Sequence, residues 1–254
     1  MNSLQPASQR QRLDEALVER GLFTSRSRAR DAIERGTVAV DGVVARKPGQ
    51  GIRPDAGIAV DDPAQAYVSR AALKLIAGLD RFALDPTGCE ALDIGASTGG
   101  FTQVLLERGA AHVTAVDVGH GQIHPDISGD PRVTVFEGLN ARDLTLSDLA
   151  GRPPDFVVSD VSFISLKLAL PPALALARAG AKAVLLVKPQ FEAGREAIGK
   201  GGLLKNPDDA GRIAEDLRDW LDAVPGWRAL GLCPSPIEGG DGNREFLLAG
   251  EKTK

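Results

Sequence analysis

Between Cys89 and Lys188 the sequence repeats one pattern. A short apolar run stops at a charged residue, and a turn or a segment with helical spacing follows. Ala91-Leu92 leads to Asp93, residues 113–116 to Asp117, Phe156-Val157-Val158-Ser159 to Asp160, and residues 183–187 to Lys188. Apolar runs of this length, without two-residue alternation, mark strands buried on both faces of a helix-covered parallel sheet. Residues 132–137 read as a further strand, and segments near 227–233 and 245–249 close the sheet. Helices are expected from Ser69 to about Leu79, from Phe101 to the stop at Gly109, and over 208–222. Residues 118–130, with Pro125 and three glycines, are expected to form a loop. Ligands of such sheets bind at the carboxyl ends of the strands. Four of those ends carry Asp93, Asp117, Asp160 and Lys188.

The first sixty residues follow another pattern. Leu13, Ala16 and Leu17 space a short amphipathic helix that ends at Gly21. Thr24 or Ser25 caps a second helix from Arg26 to Arg35, stopped by Gly36. Two Val-rich runs joined by Asp41-Gly42 make a hairpin, and a short strand lies near 58–60. A polar stretch, 61–66, separates this head from the rest. The expected division is therefore a head at 1–60, a linker at 61–66 and a body at 67–254.

Charge separates the two parts. Ten Lys and Arg against seven Asp and Glu give the head +3, while the remainder of the 254-residue chain carries −7. A basic head on an acidic body suits a polyanionic partner for the head. Cys89 and Cys233 stand far apart in apolar surroundings and read as reduced thiols of a cytoplasmic protein. The longest apolar stretch, 166–179, is broken by Pro171-Pro172 and carries Lys167 and Arg178, so no membrane span is expected. His120, His124 and Asp126 are too few, and too loop-bound, for a metal site.

The turn after the first body strand decides which ligand is sought. Asp93-Ile94-Gly95-Ala96-Ser97-Thr98-Gly99-Gly100-Phe101 is a tight strand-to-helix turn whose small residues let a ligand approach the backbone. The dinucleotide fingerprint fails because Ser97 occupies its second glycine position, and no Lys-Ser or Lys-Thr follows Gly100. The turn holds an acid and no base, which disfavours a phosphate and suits a cation. S-adenosylmethionine, a sulfonium joined to adenosine, meets that description. Asp117, ending the second strand, is placed for ribose hydroxyls. Asn140 is a candidate for the adenine edge, or simply a turn residue.

Lys74, Asp160, Lys188 and Glu245 stand at element ends or next to that edge of the sheet, although Lys74 alone reads as a surface helix lysine. Transfer of a methyl group from a sulfonium needs a positioned, electron-rich oxygen, and a ribose hydroxyl needs a base or a steering group. No Asn-Pro-Pro-Tyr motif follows the fourth strand, as base methylation would favour; Asp160-Val161-Ser162-Phe163 is there instead.

The head motifs, Arg12-Leu13-Asp14, Ser25-Arg26, Gly36, Gly42 and Lys47-Pro48, resemble the S4 RNA-binding module. In the body, Ser69-Arg70 with Lys74-Leu75, the turn from Asp93 to Phe101, Ser159-Asp160-Val161-Ser162-Phe163, Leu186-Val187-Lys188-Pro189-Gln190-Phe191-Glu192 and Gly242-Asn243-Arg244-Glu245-Phe246 complete the pattern. Together, over residues 12 to 249, they resemble the TlyA-type haemolysin and ribosomal RNA methyltransferase family, within the FtsJ-like 2′-O-methyltransferases. The resemblance implies an α/β, Rossmann-like S-adenosylmethionine-dependent methyltransferase sheet, mostly parallel with the last strand antiparallel, behind a small α+β S4 domain. It implies a catalytic set at Lys74, Asp160, Lys188 and Glu245, with Glu238 a rival for the last place. Asp93, Gly95, Ala96, Ser97, Gly99, Gly100, Phe101, Asp117, Asn140 and Asp160 would hold the cofactor. Arg12, Ser25, Arg26, Arg28, Arg30 and Lys47 would meet RNA. The expected substrate is a cytidine ribose in ribosomal RNA, free or in a subunit, and the short N-terminus points to the large subunit alone. The rival readings are a non-catalytic ribosome-assembly factor and a membrane-active haemolysin. The second lacks a cationic amphipathic helix of useful length.

Overall fold

The computed structural model describes residues 10–240 and 242–254; the first nine residues, expected to open the head, and Asp241 lie outside the described residues. The chain divides into two compact units, one ending at Ala66 and the other spanning Tyr67–Lys254.

In the first unit, helices Leu13–Glu19 and Arg26–Arg35 pack beside a three-stranded sheet of Val38–Val40, Val43–Val44 and Ile58–Val60. Ser25 Oγ accepts from Arg28 N at 3.3 Å and caps the second helix. Gly36 ends it at φ 80°, a left-handed conformation natural to glycine. Asp41 (φ 48°) and Gly42 (φ 81°) form the hairpin turn, whose twist requires positive φ at both positions. Leu13, Leu17, Ala29, Ile33 and Val38 are fully buried between helices and sheet. A further pairing, Gln11–Arg12 with Gly51–Ile52, has no counterpart in the sequence reading, because two-residue strands carry no periodicity.

The second unit is built on a seven-stranded sheet, counted among the described residues. Its strands are β1 (Glu90–Ile94), β2 (His112–Asp117), β3 (Val133–Glu137), β4 (Phe156–Ser159), β5 (Lys182–Val187), β6 (Trp227–Pro234) and β7 (Phe246–Lys252). Their spatial order is β6-β7-β5-β4-β1-β2-β3. β1 to β5 run parallel, and β7 is antiparallel to both β5 and β6. Alternate strand residues serve opposite faces. Leu92, Ile94, Val157 and Leu185 pack under helices 171–176 and 209–223, whereas Ala91, Val158, Leu186 and Leu247 meet helices 72–82 and 100–107. With both faces covered, the strands become the continuous apolar runs of the sequence.

Two local expectations change. The first body helix is Ala72–Phe82, not one opened by Ser69; Ser69 Oγ instead accepts from Ala71 N at 3.2 Å in the preceding turn. The loop expected at 118–130 contains a one-turn helix, Pro125–Ser128, because Pro125 suits a first helical position and His124 Nδ1 accepts from Asp126 N at 3.2 Å.

Candidate active site

The parallel strands end on one edge of the sheet, and a cleft of about 530 Å³ opens there. The turn after β1 forms one wall. Gly95 has φ 84°, and a Cβ at this position would come within 3.0 Å of the Asp160 carbonyl. Only glycine lets this turn pass so close to the end of β4. Ser97 also has positive φ, 49°. Its amide donates to Asp117 Oδ2 at 2.8 Å, while Gly119 N donates to Asp117 Oδ1 at 2.7 Å. The carboxylate at the end of β2 thus fixes the loops on either side of it.

The turn residues divide between two recesses. Gly95 and Ser97 line the main cleft with Asp117, Asn140 and Asp160. Gly95, Ala96, Ser97, Gly100, Phe101 and Asp160 line an adjoining recess of about 70 Å³. Asp93 and Gly99 line neither. Gly99 packs against Ile127. Asp93 is fully buried beneath the turn, where its Oδ2 accepts from Thr102 Oγ1 at 2.7 Å and its Oδ1 has no hydrogen-bond partner among the described residues. Burial, against the bonds from Thr102 and with Asp160 and Asp117 nearby, pushes this carboxyl up to about 7. Asn140 lines the cleft, and its Oδ1 accepts from Arg142 N at 3.1 Å as the cap of a short 3₁₀ turn.

Several lining residues had no signal in the sequence. Val118, Gln122 and Leu139 enter through loops whose course depends on Glu137, which accepts from Gly121 N at 2.7 Å and from Gln122 N at 2.8 Å. These amides, Gly121 first, hold the Glu137 carboxyl below its usual range. Phe163, at φ 65° and 90% exposed, stands on the lip, its ring 5.1 Å from that of Phe191.

The four expected catalytic residues form two buried or half-buried ion pairs. Lys74 Nζ donates to Glu245 Oε2 at 2.5 Å, with both side chains almost wholly buried. Lys74 is therefore an interior residue, because a carboxylate waits for it at the start of β7. Lys188 Nζ lies 2.6 Å from Asp160 Oδ1, outside hydrogen-bond alignment, and donates to Ser162 Oγ at 2.7 Å. The two pairs are neighbours by register: Val187 pairs with Phe246 on the last rung of the β5–β7 ladder, and Lys188 and Glu245 are the residues next to that rung. Glu245, not Glu238, makes the contact with Lys74.

Among the residues lining the main cleft there is no lysine or arginine, while Asp117 and Asp160 are acidic and Ile94, Val116 and Leu139 apolar. That lining fits an uncharged nucleoside attached to a cation and is poor for phosphate. Among the described residues no cluster of three or more His, Cys, Asp or Glu is placed to hold a metal ion.

In the head, the expected RNA contacts separate. Arg12 donates twice to Asp14 at 3.0 Å, and Arg26 reaches the same carboxylate at 3.1 Å. Asp14 is fully buried, and the Arg12 hydrogen bond holds it below the usual carboxylate range. Arg28 donates to Ala64 O at 3.2 Å, and Ser25 is spent on its helix cap. Arg12, Arg26, Arg28 and Ser25 thus have structural duties of their own. Arg30 and Lys47 are exposed.

The profile of the FtsJ-like methyltransferases matches residues 67–252, most of the chain. The chain belongs to the FtsJ-like methyltransferase family. The S4 domain profile matches residues 11–58 of the head. The chain is 44% identical, over 95% of its length and 90% of the relative's, to the 16S/23S rRNA (cytidine-2′-O)-methyltransferase TlyA of Mycobacterium tuberculosis. It is 38% identical to Hemolysin A of Brachyspira hyodysenteriae, over 93% of this chain and 98% of that one. A solved structure of a candidate hemolysin from Streptococcus thermophilus superposes with a TM-score of 0.75 at 39% identity, covering 98% of this chain and 90% of that one. No helix among the described residues of this FtsJ-like protein is long and apolar enough to cross a membrane.

Proposed function

We propose that this FtsJ-like protein methylates the 2′-hydroxyl of a cytidine ribose in ribosomal RNA, using S-adenosylmethionine. The observation that carries the reading is the pair of lysine–carboxylate contacts, Lys74–Glu245 and Lys188–Asp160, on neighbouring ladder positions at the carboxyl edge of the sheet. In support, the Mycobacterium tuberculosis relative is named a 16S/23S rRNA (cytidine-2′-O)-methyltransferase, and one from Campylobacter jejuni, 32% identical, a 23S rRNA (cytidine-2′-O)-methyltransferase.

The cofactor supplies an electrophilic methyl group when bound. The turn at Gly95, Ala96 and Ser97 would pass its backbone along the cofactor, Asp117 would accept from the ribose hydroxyls, and the Asn140 side-chain amide would meet the adenine edge. Asp160, shared by the cleft and the smaller recess, lies where the methionine portion would join the reacting centre. Lys188 is our candidate for the group that steers the substrate 2′-oxygen, with Asp160 and Ser162 fixing its amine. Lys74 and Glu245 hold the far side of the set and give the ribose polar partners in a site shielded from water. As the methyl group leaves the sulfonium for the 2′-oxygen, the hydroxyl proton would pass to the Asp160 carboxylate and from there to water.

The S4 head would grip phosphates with Arg30 and Lys47, which are exposed and, unlike Arg12 and Arg26, are not engaged by Asp14. Since ribosomal RNA is made and assembled in the cytoplasm, we assign the reaction to that compartment, without a membrane partner. The test is transfer of labelled methyl from S-adenosylmethionine to ribosomal RNA, followed by nucleoside analysis. Label in 2′-O-methylcytidine is the expected result, and label in a methylated base would contradict it.

A further inference from the structure

The loops after β4 and β5 are joined at several points. Lys188 reaches Asp160 and Ser162, and the Phe163 ring rests on that of Phe191. One further junction takes no direct part in the chemistry above. Glu192, on the one-turn helix Pro189–Glu192, reaches back to the opposite loop. Its Oε2 accepts from Ser165 Oγ at 2.5 Å and its Oε1 accepts from Leu166 N at 2.8 Å. Ser165 Oγ in turn caps the helix Leu166–Ala169 by accepting from Lys167 N at 3.1 Å.

This junction has a mechanical consequence. Residues 161–165 carry Ser162, which holds Lys188, and Phe163, a non-glycine residue at φ 65° that is almost wholly exposed on the lip of the cleft. Such a backbone conformation costs energy and persists only where the surroundings fix it. Asp160 anchors the loop at one end through Lys188. Glu192 supplies the anchor at the other end, at Ser165 and Leu166.

We infer that Glu192 is a positioning residue for the methyl transfer: it pins the far end of the 161–165 loop so that Ser162 holds Lys188 and Phe163 stands at the lip of the cleft. This rests on the methyltransferase reading above. Glu192 itself does not line the main cleft, but the loop it pins does: Val161, Ser162, Phe163 and Ile164 form the wall that faces the ends of β1 and β2.

The test compares Glu192→Ala with Glu192→Gln in the full chain. Glutamine keeps a carbonyl for Leu166 N and an amide for Ser165 Oγ; alanine keeps neither. Glu192→Ala is expected to lower kcat/KM for ribosomal RNA about 30-fold, the scale expected of a misplaced reacting group. Affinity for S-adenosylmethionine, read by calorimetry, should fall as well, because the same loop lines the cofactor cleft, and Glu192→Gln should retain most of both. Hydrogen exchange supplies a reading that needs no turnover: the peptide covering 161–166 should exchange faster in Glu192→Ala but not in Glu192→Gln. Ser165→Ala, which removes one of the two junctions, should show a smaller loss and serves if Glu192→Ala does not fold. Unchanged exchange at 161–166 in Glu192→Ala, or in Ser165→Ala where that variant serves, overturns the inference. So do wild-type activity in the same variant and a loss shared equally by Glu192→Gln. If the wild-type protein transfers no methyl group, the function proposed above fails, while the exchange experiment still reads the junction.

Discussion

Lys74 and Glu245, 171 residues apart in sequence, meet at 2.5 Å in a buried ion pair. The contact joins the first helix of the body to the start of its last strand. It sits beside Lys188–Asp160 because Glu245 and Lys188 flank the same rung of the β5–β7 ladder. The sheet thereby brings charges from four distant segments to one edge.

Breaking the buried pair from one side should cost stability as well as activity. Lys74→Met leaves the Glu245 carboxylate without its partner, a change worth about 3–5 kcal/mol for a buried pair. The double variant Lys74→Met/Glu245→Leu should regain most of that stability and none of the activity. Urea unfolding and methyl transfer, measured on the same samples, separate the two effects. Active double-variant protein would remove this pair from the mechanism.

Asp93 should leave a signature in stability against pH. Its folded pKa, about 7, lies above the ordinary aspartate value of 3.8. In that window the folded protein retains a proton that the unfolded chain has released, so stability falls as pH rises through it and levels off above. Asp93→Asn has no such proton. Its stability relative to wild type should therefore climb between about pH 4 and 7, by on the order of 4 kcal/mol. A difference independent of pH would show that Asp93 does not titrate in this window.

Two arginines of the head should respond in opposite ways. Arg12→Ala deprives buried Asp14 of its largest stabilising contact, so the head should lose thermal stability. Because the Asp14 pKa is lowered, that contribution is present above the unfolded carboxylate pKa and is lost as pH falls through the folded one. Arg30→Ala should leave stability within about 0.5 kcal/mol of wild type while weakening RNA binding. It should also reduce the slope of log affinity against log salt by roughly one. Melting curves and a salt titration read the contrast.

Much of this architecture is legible in the sequence because its strands are buried on both faces. The runs ending at Asp93, Asp117, Asp160 and Lys188 become four of the parallel strands, and Asp41-Gly42 turns the head hairpin. What periodicity cannot convey is pairing across the chain. Lys74 looks like a surface lysine until Glu245 is brought to it, and Arg12 and Arg26 look available until Asp14 is found buried beneath them. Glu137 gave no signal and Glu192 only ended a matching motif without a role, since their partners are backbone amides and a serine in loops whose course the sequence leaves open.

Lys188→Ala is the most direct test of the central claim, that a lysine held between Asp160 and Ser162 prepares the substrate oxygen. Methyl transfer to ribosomal RNA and calorimetric affinity for S-adenosylmethionine should be measured together on this variant and on wild type. Transfer at background with cofactor affinity changed by less than about twofold is the expected result. Transfer at the wild-type rate would contradict it.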